Sequence, residues 1–167
     1  MRVLAIDASL RSSGVAVVES QRPTPRSLYF GTIKNSAALA PSRCLVAIRS
    51  RIIALIREFE PECCAMEAVI YVQSHKTAIL LGAARGAAML AAAEHGLPIY
   101  EYAPARIKQA TVGRGGADKS QVGFMIRVLL GLTTTPLNDE ADALAIAVAH
   151  LNAAEAARLG MPAGGQI

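Results

Sequence analysis

The chain has 167 residues, 53% of them hydrophobic, and carries 17 Lys and Arg against 13 Asp and Glu, for a net charge of +4. This composition excludes a disordered chain and suits one domain with a full hydrophobic core: residues 1–158 are expected to form it, and 159–167 a flexible C-terminal tail. The longest apolar run, Ala78–Ala93, is interrupted by Arg85, and Asp7 and Arg11 break any signal-peptide core, so neither membrane span nor leader is expected and a cytoplasmic location is.

Arg2–Asp7 is apolar on both faces and ends on a carboxylate, which predicts a strand buried on two sides with Asp7 at its mouth. Ala8–Gly14 reads as a polar turn, Val15–Val18 as a second strand and Leu28–Ile33 as a third, the three antiparallel. Ala40-Pro41-Ser42 opens a helix whose apolar positions Leu45, Ile48, Ile52, Leu55, Ile56 and Phe59 recur at three- and four-residue spacing and stop before Pro61. Cys63–Glu67 is a fourth strand, again ending on an acid, and Thr77–Glu94 an Ala-rich helix with Gly82 and Gly86 one turn apart. Leu97–Tyr102 is a fifth strand. Arg106–Val112, Lys119–Leu130 and Asp139–Glu155 are helices, with a basic glycine loop at 113–116. This order describes an α/β fold, a five-stranded mixed sheet flanked by helices. Cys44, Cys63 and Cys64 are odd in number and lack CxxC spacing, so buried free thiols are expected rather than a zinc site or a disulfide.

Two strands thus end on acids, Asp7 and Glu67, and Asp139 and Asp142 lie about 60° apart on one helical face. Taken singly, each has a plain role: Asp7 caps a turn, and acids in a first helical turn favour the helix dipole. Convergence would change that. Clustered carboxylates repel and raise one another's pKa unless a multivalent cation sits among them, and oxygen ligands without His or Cys point to Mg²⁺ or Mn²⁺. Two such ions form an arrangement that hydrolyses phosphodiesters. Lys119 follows the glycine loop and opens a helix, where backbone N–H groups and the dipole attract phosphate. The 113–120 stretch is also a near miss to a nucleotide P-loop, rejected because Asp118 stands where a glycine must admit phosphate and no apolar strand leads in. The pI near 9.2 is compatible with a nucleic-acid partner without specifying one.

Ala5-Ile6-Asp7 with the Gly14 turn, Met66-Glu67, Leu81–Gly86, Ala117–Val122 and Asp139–Ala147, in this order and spacing, resemble the RuvC-type Holliday junction resolvase family of the ribonuclease H-like superfamily. The resemblance runs from Arg2 to about His150. It implies a ribonuclease H-like fold and a homodimer that resolves four-way DNA junctions by symmetric paired nicks, leaving 5′-phosphate and 3′-hydroxyl ends, in concert with a branch-migration complex. It places the metal ligands, for two Mg²⁺ (or Mn²⁺) ions per subunit, on Asp7, Glu67, Asp139 and Asp142, and functional lysines on Lys108 and Lys119. Arg11, Lys76, Arg85 and Arg114 are further candidates for phosphate contacts. Two departures stand out. Ala8-Ser9 replaces the Pro-Gly that commonly follows the first acid, and Ile70, followed by Tyr71, occupies the position of an aromatic wedge that disturbs stacking at the crossover. Competing readings are a ribonuclease H-like nuclease of structured RNA and a non-catalytic junction-binding protein. An actin-like sugar kinase shares the opening but needs two such domains.

Overall fold

The computed structural model describes residues 1–70, 74–160 and 165–167. Its centre is a mixed sheet of β1 (Arg2–Asp7), β2 (Ser12–Glu19), β3 (Arg26–Lys34), β4 (Cys63–Glu67), β5 (Ile99–Tyr102) and β6 (Gly165–Gln166). The strand order is β3-β2-β1-β4-β5-β6. The first three strands are antiparallel, and β4 and β5 run parallel to β1. The sixth strand departs from the expected five: Gly165 and Gln166 of the C-terminal tail pair antiparallel with β5, satisfying an edge that would otherwise face water.

Period-two alternation sorts the strand residues onto two cores. Leu4, Ile6, Val15, Val17, Cys64 and Met66 face α1 (Pro41–Phe59) and α2 (His75–Ala93). Val3, Ala5, Ala16, Val18, Cys63 and Ala65 face α5 (Asn138–Arg158), with α3 (Pro104–Val112) and α4 (Lys119–Leu129) on the same side. The second face is lined by small side chains, and α5 answers with Ala141, Ala143, Ala145, Ala147 and Ala149, all buried. Small residues against small residues let a helix lie close to the sheet, and α5 is the central helix. Just past its middle His150 accepts or donates at both ring nitrogens, 3.1 Å from Cys63 Sγ and 2.8 Å from Tyr102 Oη, and burial lowers its pKa to about 4, keeping the ring neutral. All three cysteines are free and buried, as expected.

Two expectations need correction. Ser12, Ser13 and Gly14 are strand, not turn, because pairing with β1 extends to Asp7 opposite Gly14 and pairing with β3 begins at Ser12 opposite Lys34. Length and composition alone also admit α2 as a membrane span, since Arg85 does not lower its hydropathy enough. Its inner face, however, is core (Ala84, Ala88, Ala91 and Ala92), and Arg85 is tied to the sheet.

Candidate active site

The acids meet because of strand parity and register. Asp7 continues the face of Val3 and Ala5, Glu67 that of Cys63 and Ala65, and the pairing of Ile6 with Met66 sets the two side by side at the C-terminal ends of parallel strands. In an open α/β sheet that edge is where sites form. The start of α5 supplies the other two. It can approach this edge because β2 presents Gly14: a Cβ there would strike the Asp139 carbonyl far inside van der Waals contact. Ser12, two residues earlier on the same face, donates its hydroxyl to Asp139 Oδ2. Glu140 points away and reaches back to the Leu137 N–H at 2.9 Å, which leaves it to start the helix.

The electrostatics report the convergence. Burial pushes the Asp7 carboxyl up to about 7, with Asp142 and Glu67 adding to the rise, Lys119 opposing it and Asp139 adding a little more. Glu67 is raised as well, first by burial and then by Asp142, against Lys119 and Lys108. Lys119 Nζ donates to Asp142 Oδ2 at 2.8 Å, and that bond raises its own pKa. Among the described residues, no three His, Cys, Asp or Glu side chains close on one point, and the lysine ammonium acts as the counter-charge in the cleft. The donor set is carboxylate oxygen throughout, which fits a hard divalent cation and no soft one.

The family model for crossover junction endodeoxyribonuclease RuvC matches residues 3–150. The chain belongs to the RuvC family. Among RuvC relatives, that of Akkermansia muciniphila is 49% identical over 93% of both chains, and that of Halorhodospira halophila 46% over 89% of both. A solved structure of T. thermophilus RuvC in complex with Holliday junction substrate superposes with a TM-score of 0.90 at 34% identity, covering 100% of this chain and 99% of that one.

The remaining candidates separate by what already holds them. Lys108, on α3, lines the same depression as Glu67, Lys119 and Asp142. Arg114, in the glycine loop, and Lys76, in the first turn of α2, are exposed. Arg11 instead spends its guanidinium on the Ser36 and Leu39 carbonyls (2.9 Å to the latter) and on Cys44 Sγ, bracing the entry to α1. Arg85 is only 12% exposed; it donates to the Glu67 carbonyl at 2.8 Å and pairs with Glu101, so it positions the Glu67 strand end. Arg85→Ala strips both contacts and leaves Glu101 without its cation. Thermal melts are expected to register a loss of about 1–3 kcal/mol, with a cleavage rate down about tenfold, the low end of what removing an outer-shell partner costs. Ile70 stands 69% exposed beside the acids, whereas Tyr71 lies outside the described residues.

The anion-nest expectation for the α4 N-terminus is overturned. Asp118 caps it, accepting from the Gln121 N–H at 2.9 Å and the Ser120 hydroxyl at 2.7 Å, while Gln121 Oε1 accepts from the Asp118 N–H. A carboxylate already takes the Gln121 N–H, and the Lys119 ammonium is the cationic group of this helix start that reaches Asp142. The Asp118–Gln121 spacing in the sequence is the capping-box signal that could have revealed this. Ser12 and Gly14, which seat Asp139, were hidden because they read as turn.

Proposed function

We propose that this chain is a divalent-metal-dependent crossover junction endodeoxyribonuclease that resolves four-way DNA junctions as a homodimer. The observation that carries this reading is the meeting of Asp7, Glu67, Asp139 and Asp142, from three distant stretches, around Lys119. Asp7, Glu67, Asp139 and Asp142 would hold Mg²⁺ or Mn²⁺, two ions per subunit. Bound there, the ions supply Lewis-acid chemistry, activating the attacking water and neutralising charge on the leaving oxygen. The chain's own residues do the rest. Ser12 orients Asp139, Arg85 holds the end of the Glu67 strand, and the Lys119 ammonium draws the scissile phosphate in and offsets the charge that grows on it. Water attacks phosphorus, the bond to the 3′ oxygen breaks, and 5′-phosphate and 3′-hydroxyl ends remain.

The junction substrate follows from the family and from the T. thermophilus relative, solved with such a junction at 34% identity across the whole chain. The test is cleavage of a mobile four-way junction with and without Mg²⁺, with nicks mapped on all arms and structured RNA as the control. Symmetric Mg²⁺-dependent nicks on the junction support the reading; turnover of RNA alone, or none, removes it.

Dimerisation is proposed through the outward face of α2. There Ile79 is 71% and Leu90 51% exposed, and a Cβ on Gly82 or Gly86 would meet nothing within 4 Å. An exposed apolar face with small residues at its middle suits a two-fold copy of itself. Ile79→Glu is expected to shift the chain to monomer in analytical ultracentrifugation, with an unchanged melting curve at low concentration and paired nicking lost. Docking of the branch-migration complex rests on the family resemblance.

A further inference from the structure

Three depressions join end to end across the acids. The first, beside Ile70, is lined by Asp7 and Glu67; the second shares Glu67 and Pro104 with it and adds Lys108, Lys119 and Asp142; the third shares Lys119 and Asp142 with the second. A DNA strand laid with its scissile phosphate at Lys119 therefore has a groove on either side. The third groove, a cavity of about 300 Å³, runs between α4 and the start of α5, and its walls include Ser120, Phe124, Pro136 and Asn138.

Two of its residues, Phe124 and Asn138, have no evident work in the fold. Phe124 is 53% exposed although it is the largest apolar side chain on α4, and the Arg127 guanidinium lies 5.3 Å from its ring centroid, holding the ring and adding positive charge. Asn138 is exposed, and its amide makes no hydrogen bond among the described residues. The cap of α5 does not need it, since the Leu137 N–H goes to Glu140. An exposed aromatic ring is a stacking platform for a base. A free carboxamide matches the paired donor and acceptor on a base edge, most fully on adenine. A cation that holds the backbone phosphate sits at the same wall. Ring, amide and ammonium converge on one groove that opens into the cleavage site.

We propose that this groove binds a nucleobase adjacent to the scissile phosphate and sets the sequence preference of cleavage, Phe124 stacking on the base and Asn138 reading its edge. The proposal rests on the resolvase reading above and locates within it the source of cut-site choice. Phosphate contacts place the strand but carry no sequence information, so discrimination must come from groups that meet bases.

The test uses the full-length chain and a set of four-way junctions with the nucleotides flanking the crossover randomised, reading nick rates by sequence together with junction affinity. The wild-type chain is expected to cut some flanking sequences much faster than others. Phe124→Ala should shrink the ratio of best to worst site about tenfold, chiefly by slowing the best, with the melting temperature unchanged. Phe124→Tyr should restore the ratio, and Asn138→Ala should relax preference at one position only. A uniform slowing over all sequences would make Phe124 a mere support and overturn the inference. So would a wild-type profile with no preference, or one unchanged in Phe124→Ala, and in each of these cases the resolvase reading survives. A wild-type chain that nicks no junction sinks both.

Discussion

Asp7→Asn is expected to abolish strand cleavage and to make the metal-free protein more stable at neutral and alkaline pH. Both effects come from one cause. The Asp7 carboxyl is buried among Asp142, Glu67 and Asp139, and its pKa rises from 3.8 to about 7. A raised carboxylate pKa means the folded state holds a proton that the unfolded chain has already released, so folding weakens as pH climbs from about 4 to about 7 and stays weakened above that. Asn keeps the shape and cannot ionise. At pH 8 without divalent ions the variant should melt several degrees above wild type, since about 1 kcal/mol corresponds to about 2–4 °C for a chain of this size; at pH 4 the two should nearly coincide. Mg²⁺ should raise the wild-type melting temperature at pH 8 and leave the variant almost unmoved. Cleavage of a four-way junction should fall at least about a thousandfold, beyond the loss from one preorganised electrostatic contact, while junction binding by gel shift persists. A variant that nicks at the wild-type rate in Mg²⁺, or melts lower than wild type at pH 8, would remove Asp7 from the centre of the site.

Gly14→Ala is expected to disable the same centre without touching an acid. The added methyl meets the Asp139 carbonyl oxygen and carbon, which are backbone and cannot swing aside, so the first turn of α5 must lift away from β2. Overpacking of this kind costs about 1–3 kcal/mol, a fall of several degrees in melting temperature. The larger consequence is positional. Asp139 and Asp142 ride on that turn, Ser12 loses its hold on Asp139, and a misplacement of about 1 Å at a reacting centre costs about a hundredfold in rate. The expected result is a folded, junction-binding protein about a hundredfold slower in nicking. Gly14→Ala with wild-type rate would mean that α5 does not need its close seat on β2.

Much of this architecture was legible along the chain. The doubly apolar Arg2–Asp7 strand, the three- and four-residue rhythm of α1, the free buried cysteines and the separation of Glu140 from Asp139 and Asp142 each follow from local chemistry that the tertiary structure leaves intact. Other features were not local. Arg11 and Arg85 have the composition of phosphate ligands, but backbone carbonyls and Glu101 claim them, and those partners come from other elements of the fold. Gly165 and Gln166 carry no strand pattern; they pair because β5 offers them an edge.

The sequence by itself determined which chemistry is possible here: four carboxylates, two of them ending apolar strands and two on one helical face, with lysines nearby and no soft metal ligand among them. Alternation and helical period are properties of neighbouring residues, so they survive without coordinates. Only the tertiary structure decided that the acids share one cleft, because that depends on the pairing of Ile6 with Met66 and on a missing side chain at Gly14 that lets α5 descend. It also decided that Asp118 takes the Gln121 N–H at the start of α4 and that Phe124 and Asn138, fourteen residues apart in sequence, face one groove beside Lys119. Contacts between residues distant in the chain are set by packing, and packing is resolved only when every element competes for the same space.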